Sequence, residues 1–272
     1  MKTCALVVKR GVRALVPAGS NQRFADRRDA GRQLVTHARG LPGGLLVLGL
    51  PRGGVVVAAE VAAGLVVELD VLVVRKVVHP DRPELALGAV TAGGTVRNET
   101  LLRRLGVPAE QFAALAAVQA EEVLRHEREF RSGRPPLALA GRAVLLVDDG
   151  LATGATARAA AQAVRAQRPS WLGLAVPVGA ADVVAAVTAE VDLLVCPVVA
   201  AVFRSVSRFY AEFPQTSDDE VRAVLDASVT SQPVDAHPPR HLDGVGPGGH
   251  PPGWVISRNR PAGRRSPGRP GG

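Results

Sequence analysis

The chain has 272 residues, of which 47% are hydrophobic and 3% aromatic, and this composition predicts one substantial α/β domain with a core of Val, Leu and Ala. The net charge of +8 belongs to the ends, since residues 1–40 carry nine Lys/Arg and two Asp/Glu, and residues 231–272 carry six Arg and two Asp. The region between them has a small acidic surplus, so specific nucleic-acid binding is not expected of the domain, while binding by the tails stays open.

The predicted elements begin after an N-terminal extension of residues 1–22. Apolar residues at helical spacing predict a helix within residues 23–40. The apolar run of residues 45–50 predicts a strand, residues 55–64 a short helix, and residues 69–74 a second strand. These three elements form a βαβ unit, with the turn Pro51-Arg52-Gly53-Gly54 directly after its first strand.

A helical insertion and a second alternation of strands and helices follow. Residues 77–98 predict a loop and a hairpin, and residues 100–131 predict a long helix that is broken near Pro108. Strands are predicted at residues 142–147, 171–176 and 191–196, with helices at residues 153–167 and 180–190. This alternation predicts a parallel β-sheet flanked by helices, a Rossmann-like α/β fold whose ligands bind at the carboxyl ends of the strands.

The predicted domain spans residues 23–230 and is followed by a tail of different composition. Residues 231–272 contain nine Pro and nine Gly and show almost no periodicity. Such a segment buries too little apolar surface to offset the entropy lost on ordering. The tail is therefore predicted to be disordered.

Cysteine content and hydropathy predict a soluble, cytoplasmic protein without a membrane partner. Cys4 and Cys196 lie far apart and lack metal-type spacing, which favours a reducing compartment. Lys9, Arg10 and Arg13 interrupt the apolar run at the start before it reaches the length of a signal peptide. No stretch approaches the roughly 18 uncharged apolar residues of a membrane span.

The segment AVLLVDDGLATGATARAA (residues 143–160) joins a buried strand, two carboxylates, a turn of small residues and a helix start. The first N–H groups of a helix lack intrahelical partners and lie at the positive end of its dipole, and small residues let a phosphate approach them. The hydroxyls of Thr153 and Thr156 can donate to the same anion. The pattern predicts a phosphate site at the helix start.

Asp148 and Asp149 stand directly before that turn and extend the prediction to a sugar phosphate. Carboxylates accept hydrogen bonds from hydroxyl groups and bind hard cations. A ligand with hydroxyls at the acid pair and a phosphate at the helix start satisfies both halves of the motif. The alternative is an ordinary pair of strand-end Asp residues that caps the following helix.

Residues 144–156 (VLLVDDGLATGAT) resemble the signature segment of the type I phosphoribosyltransferases, which bind 5-phosphoribosyl 1-diphosphate (PRPP) with Mg²⁺ on a parallel α/β core. The resemblance implies that Asp148 and Asp149 meet the ribose 2′- and 3′-hydroxyls and lie at the Mg²⁺ site, either as ligands or through those hydroxyls. The residues implied to bind the 5-phosphate are Ala152, Thr153, Gly154, Ala155 and Thr156.

Two further segments complete the implied PRPP site. Pro51-Arg52-Gly53-Gly54 stands where the family has its pyrophosphate loop. The residues suit such a loop, because Gly53 and Gly54 let backbone donors approach an anion and Arg52 adds charge-assisted bonds. Arg75 and Lys76 are predicted to end the second strand, as a basic pair does in adenine and orotate phosphoribosyltransferases, where it reaches the diphosphate. The residues expected to act in catalysis are Arg52, Arg75, Lys76 and Asp149. The alternatives are a structural turn and a solvated strand end.

Residues 77–92 would then form the mobile loop that closes over the reacting centre and excludes water. His79 and Glu84 lie in this segment and are candidates for assisting proton movement. A solvated loop residue is the alternative for each of them.

The wider resemblance covers residues 23–226 and reaches a group of predicted bacterial phosphoribosyltransferases, through segments such as FADRRDAGRQL and FYAEFPQTSDDEV. One departure lies at residues 198–205 (VVAAVFRS), where a Pro/Glu-bearing turn is expected near the nucleobase site. Ala152 occupies the position at which 6-oxopurine members carry an Asp that meets purine N7. The acceptor is therefore not expected to be hypoxanthine or guanine, and the adenine, orotate and uncharacterised branches stay open.

The resemblance implies a Mg²⁺-dependent phosphoribosyltransferase, a pentosyltransferase of nucleotide and nucleoside metabolism. It would transfer the ribose 5-phosphate of PRPP to a nitrogen acceptor, expected to be a small nucleobase, with release of pyrophosphate. The alternative is a non-catalytic PRPP- or nucleotide-binding regulatory protein with the same fold. A different nucleotide-binding Rossmann protein is disfavoured, because no G-x-G-x-x-G follows a strand and no Walker lysine is present. Homo-oligomer formation stays open.

Overall fold

A computed structural model describes residues 23–38 and 40–230, together with the backbone of three strands outside them. The strands are β1 (Leu6–Lys9), β2 (Val12–Leu15), β3 (Leu46–Gly49), β4 (Glu68–Val71), β5 (Arg75–His79), β6 (Arg82–Thr91), β7 (Gly94–Asn98), β8 (Ala143–Val147), β9 (Trp171–Ala175), β10 (Val178–Ala180), β11 (Leu193–Cys196), β12 (Val198–Ala200) and β13 (Trp254–Ser257). The helices are α1 (Arg27–His37), α2 (Gly53–Leu65), α3 (Glu99–Leu105), α4 (Ala109–Phe130), α5 (Ala155–Arg165), α6 (Ala181–Val187) and α7 (Asp218–Thr230), with 3-10 turns at Thr188–Glu190 and Val206–Phe209.

A seven-stranded sheet with the order β1-β2-β11-β9-β8-β3-β4 forms the centre of the fold. The six strands that follow β1 in this order are parallel to one another, and β1 pairs with β2 in the antiparallel sense. Leu145 and Val147 of β8 pack on the face that carries α2, whereas Leu146 packs on the face that carries α5 and α6. Because both faces are covered, the central strands are continuous apolar runs, and the predicted parallel sheet with flanking helices is confirmed.

The sheet reverses its direction of growth between β3 and β8, which are neighbours. The chain passes from β3 to β4 on one side and from β8 to β9 on the other. A crevice opens at the carboxyl ends of the strands at such a reversal, and it is the usual ligand site of open α/β sheets. The turns after Leu50 and Val147 therefore lie side by side, joined by a hydrogen bond from the N–H of Leu50 to the carbonyl of Val147 (2.9 Å).

Residues 77–98, predicted as a loop and a hairpin, contain a hairpin formed by β6 and β7, whereas most of the predicted mobile loop at residues 77–92 is strand and not loop. Strands β5, β6 and β7 form an antiparallel sheet, and β13 pairs with β7. Val77 and Leu87 are buried in the same cluster as Phe112 of α4. Burial of these apolar side chains outweighs the turn-forming residues Pro83 and Gly88, which lie within β6, while Pro80 and Asp81 form the tight connection between β5 and β6.

The remaining differences lie mostly at the ends of the chain. Helix α7 was not predicted, although its Val221 and Leu225 enter the core. The predicted long helix with a break corresponds to α3 and α4. Strand β13 lies in the tail predicted to be disordered, and residues 231–253 and 258–272 of that tail lie outside the described residues, as does most of the extension 1–22. Within the described part of the chain, no helix combines the length and apolarity that a membrane span requires.

Candidate functional site

The acid pair, Asp148 and Asp149, directly follows β8 at the crevice. The Oδ1 atom of Asp148 accepts a hydrogen bond from the N–H of Asp149 (2.9 Å). Asp149 is held at two points, because its Oδ2 accepts from Nε of Arg27 (2.9 Å) and its backbone carbonyl accepts from the hydroxyl of Tyr210 (2.6 Å). Among the described residues, no hydrogen-bond donor is found for the second oxygen of either carboxylate. The acid pair therefore offers two acceptor atoms to a ligand.

Burial determines the electrostatics of the acid pair. It raises the pKa of the Asp148 carboxyl well above its ordinary value, and the negative charge of Asp149 raises this pKa further. Burial also raises the pKa of Asp149, against the opposing effect of the Arg27 guanidinium. The acid pair is thus under-compensated in the protein alone, and a ligand that supplies hydroxyl donors or a cation would relieve this.

Asp148→Asn is expected to stabilise the ligand-free protein at neutral pH. Asn retains the Oδ1 acceptor but removes the buried charge. Because the folded-state pKa of Asp148 is raised, the folded protein binds more protons, and its free energy of unfolding falls as pH rises from about 3.9 through the raised value. Thermal unfolding at about pH 7.5 should show a midpoint about 2–6 °C higher in the variant. The difference should vanish near pH 4, and a lower midpoint at neutral pH would contradict this assignment.

Gly53 and Gly54 open α2 and bring the loop after β3 against the acid pair. A Cβ atom at Gly53 would lie 2.1 Å from Oδ2 of Asp149, and one at Gly54 would lie 2.8 Å from Cα of Asp148. Any side chain at either position would therefore collide with the acid pair. The Pro51–Arg52 peptide bond in this loop is cis.

Arg52 belongs to this loop, and its side chain is directed toward the start of α7. Its Nε is 3.0 Å from Oδ1 of Asp218, and its Nη1 is 3.5 Å from the carbonyl of Thr216. Both charged side chains are more than 40% exposed. An ion pair so exposed contributes little to stability, so Arg52 can exchange its partner at small energetic cost.

The turn between the acid pair and α5 leaves several donors accessible. Gly154 directly precedes α5 with φ +70°, a left-handed conformation that favours Gly. Ala152, Thr153 and Thr156 are exposed. Among the described residues, the backbone N–H groups of Ala152, Thr153 and Gly154 donate to no protein acceptor. Free N–H groups beside the positive end of a helix dipole form a site for an anion.

Arg75 and Lys76 are exposed and share one cleft with the start of α5. This cleft has a volume of about 290 Å³ and is lined by both residues together with Gln119 and Thr156. Nε of Arg75 donates to Oε1 of Gln119 on α4 (3.2 Å). The basic pair begins β5 and does not end the second strand as predicted, because β4 stops at Val71.

His79 and Glu84 do not belong to this cleft. His79 is the last residue of β5, where its Nδ1 accepts a hydrogen bond from the N–H of Asp81 (3.2 Å). Glu84 is exposed on β6. A role of His79 and Glu84 in proton transfer stays a prediction, and the positions of the two residues do not support it.

Three side chains at the acid pair were given no role on the basis of the sequence, namely Arg27, Tyr210 and Phe213. Arg27 contacts Asp149, donates from Nη1 to the carbonyl of Pro214 (2.6 Å), and stacks over the ring of Phe213 (3.7 Å from the guanidinium carbon to the centroid). Both segments that supply these residues carry the wider resemblance. Neither contains a motif that would identify the chemistry of an individual residue.

The acid pair supplies oxygen donors that suit Mg²⁺, although it does not enclose a metal. Among the described residues, no group of three or more His, Cys, Asp or Glu could hold a metal ion. Mg²⁺ is commonly bound by one or two carboxylates together with ligand oxygens and water. Asp148 and Asp149 therefore fit a Mg²⁺ ion that is shared with a bound ligand.

Comparison with known proteins gives three related findings. The family model of the phosphoribosyl transferase domain matches residues 43–192. Two proteins of Mycobacterium tuberculosis, from strains CDC 1551 / Oshkosh and ATCC 25618 / H37Rv and each named "Putative phosphoribosyl transferase", are 48% identical over 205 residues, which is 75% of this chain and 46% of theirs. The chain thus spans about half the length of these relatives. The crystal structure of TT1426 from Thermus thermophilus is 41% identical with a TM-score of 0.70, and the match covers 75% of this chain and 97% of that chain.

Proposed function

The chain belongs to the phosphoribosyl transferase domain family, and from this premise we propose that it transfers the 5-phosphoribosyl group of PRPP to a nitrogen acceptor and releases pyrophosphate. The observation that carries the proposal is the adjacency of two acceptor oxygens on the acid pair to the free N–H groups that precede α5. A ribose 5-phosphate requires hydrogen-bond acceptors for its vicinal hydroxyls and hydrogen-bond donors for its phosphate. In this chain a single turn separates the acceptors from the donors. This crevice offers both.

In the proposed complex each half of the turn binds one part of the donor. Asp148 and Asp149 each accept a hydrogen bond from one ribose hydroxyl, with the oxygen that is not already engaged. Ala152, Thr153, Gly154, Ala155 and Thr156 bind the 5-phosphate through backbone N–H groups and the two threonine hydroxyls. Such charge-assisted hydrogen bonds are about twice as strong as neutral ones, so both halves contribute to affinity.

The diphosphate of the donor is proposed to meet the basic side chains on the other side of the crevice. Gly53 and Gly54 allow the backbone of their loop to approach an anion, because no Cβ atom intervenes. Arg75 and Lys76 already line a cleft with Thr156. Arg52 would have to leave Asp218 to join them, and this exchange is inexpensive because the ion pair is exposed.

The proposed reaction forms a bond between the acceptor nitrogen and ribose C1 and breaks the bond between C1 and the diphosphate oxygen. Positive charge grows on the sugar ring and negative charge on the leaving diphosphate. Arg52, Arg75 and Lys76 stabilise the leaving group, while the acid pair orients the ribose and lies near the positive ring. Mg²⁺, when bound, neutralises part of the diphosphate charge.

The acceptor is proposed to be a small nucleobase other than a 6-oxopurine. Ala152 has no carboxylate to offer to purine N7. Residues 198–205 follow β11, the last strand of the central sheet in chain order. In this segment the Val202 side chain is exposed and the Phe203 side chain is partly buried. Such a reaction would belong to nucleotide metabolism.

The proposal is tested by measuring pyrophosphate release from PRPP and Mg²⁺ with a panel of nucleobases. We expect release above the base-free rate with at least one base, and none from Asp148→Asn. Calorimetric PRPP binding without release across a broad panel would favour the alternative, a regulatory protein that binds PRPP. Absence of both binding and release would contradict either function.

A further inference from the structure

We propose that Arg27 is a positioning residue of the ribose site, which acts through Asp149 and determines which carboxylate oxygen meets the ligand. This inference deepens the proposed function and rests on it. It assigns a role to a residue that lies outside residues 43–192, the range matched by the family model. It also makes the segments that flank this range part of the site.

The contacts of Arg27 fix its guanidinium in one place. Nε donates to Oδ2 of Asp149 (2.9 Å), and Nη1 donates to the carbonyl of Pro214 (2.6 Å). The guanidinium carbon lies 3.7 Å from the ring centroid of Phe213. The side chain is 10% exposed. Two in-plane hydrogen bonds and one stacked face leave the planar group little freedom to move.

The same contacts fix the orientation of the Asp149 carboxylate. Because Oδ2 is engaged by Arg27, Oδ1 is the atom left for a ligand hydroxyl. The hydroxyl of Tyr210 holds the backbone carbonyl of the same residue (2.6 Å). Arg27 of α1 thus holds the side chain of Asp149, and Tyr210, which follows β12, holds its main chain. The two contacts together restrict the movement of Asp149.

Gly53 shows that the neighbouring loop accommodates this pair. A Cβ atom there would lie 2.6 Å from Nε of Arg27 and 2.1 Å from Oδ2 of Asp149. The absence of a side chain at Gly53 therefore leaves room for the Arg27–Asp149 contact beside the loop.

Stability alone is a weak reason for burying this cation. A buried ion pair often stabilises a fold no more than apolar residues of similar size do, since desolvation offsets the attraction. Arg28, the next residue, shows the ordinary arrangement, because its side chain is 50% exposed and pairs with Glu60 on the surface (3.1 Å). The two adjacent arginines thus form a matched pair for experiment, one at the acid pair and one on the surface.

The test uses the full chain with Mg²⁺ and two probes, ribose 5-phosphate and pyrophosphate, in the variants Arg27→Met and Arg28→Met. Arg27→Met should weaken ribose 5-phosphate binding about 10- to 100-fold, because it frees Asp149 to rotate, and should change pyrophosphate binding by less than about threefold. Arg28→Met should change neither. A merely structural role would weaken both probes together, and that result would overturn the proposal.

A double-variant cycle tests whether Arg27 acts through Asp149. Once Asp149→Asn is present, Arg27→Met should weaken ribose 5-phosphate binding by less than about twofold, whereas additive losses would overturn the proposal.

If Arg27→Met does not fold, Tyr210→Phe removes the second restraint on Asp149 and should show the same selectivity between probes. Failure of the wild-type chain to bind either probe would contradict the proposed function itself, and the variants separate that case from an error about Arg27.

Discussion

The double variant Asp148→Asn/Asp149→Asn is expected to bind PRPP at least about 100-fold more weakly than the wild-type chain in the presence of Mg²⁺. Each carboxylate offers one unengaged oxygen in the crevice. A hydrogen bond to a charged acceptor contributes about 1.5–3 kcal/mol, so the loss of two corresponds to a factor of 100 or more. Isothermal titration calorimetry with PRPP measures the change directly.

The single variant and a distant carboxylate provide the controls. Asp149→Asn leaves the buried Arg27 opposite a neutral amide and should destabilise the fold, whereas Asp148→Asn should not. A loss of binding in the stable Asp148→Asn protein therefore cannot be attributed to unfolding. Glu190→Gln removes an ion-paired carboxylate that precedes β11, at the opposite edge of the sheet, and should leave PRPP binding unchanged. Unaltered PRPP affinity in a folded double variant would refute the assignment of the acid pair.

The half of the candidate site that follows β8 could be predicted because its parts are contiguous in the chain. A strand, two acids, a turn of small residues and a helix start occur within residues 143–160. Free N–H groups at a helix start and carboxylates at a strand end are local properties of the backbone. The same reasoning placed Gly53 and Gly54 after β3, and the parallel sheet then brought both turns together.

The restraints on the acid pair could not be predicted, because they depend on contacts between distant parts of the chain. Arg27 and Asp149 are 122 residues apart, and Tyr210 and Asp149 are 61 apart. No local pattern distinguishes Arg27 from its surface neighbour Arg28. A hairpin is predicted within residues 77–98, but strand β5 is not, because the nearby turn-forming residues obscure Val77 and Leu87, which are buried in the same cluster as Phe112 of α4. Helix α7 did carry a signal in Val221 and Leu225, four residues apart.

A buried ionic network anchors α4 to the sheet and so supports the basic pair. Arg131 donates from Nε to Oδ1 of Asp70 (2.8 Å), from Nη1 to Oε2 of Glu127 (2.5 Å) and from Nη2 to the carbonyl of Val71 (2.6 Å). All three charged residues are at most 7% exposed. Asp70 belongs to β4, just before Arg75 in the chain, and α4 carries Gln119, which holds Arg75. The network therefore connects the core to the cleft at the start of β5.

Arg131→Met is expected to lower the free energy of unfolding by about 3–5 kcal/mol, since it leaves two carboxylates buried without a cation. Burial already raises the pKa of Glu127, and Arg131 opposes that rise. Without Arg131 the carboxyl should protonate more readily, so the destabilisation should be smaller near pH 5 than near pH 8. Chemical denaturation at both pH values measures the difference.

Arg125→Met is the matched control on the same helix. The Arg125 side chain is about half exposed and pairs with Glu122 and Glu129 on the surface, so a loss below about 1 kcal/mol is expected. Equal losses in the two variants would show that the buried network contributes no more than a surface ion pair.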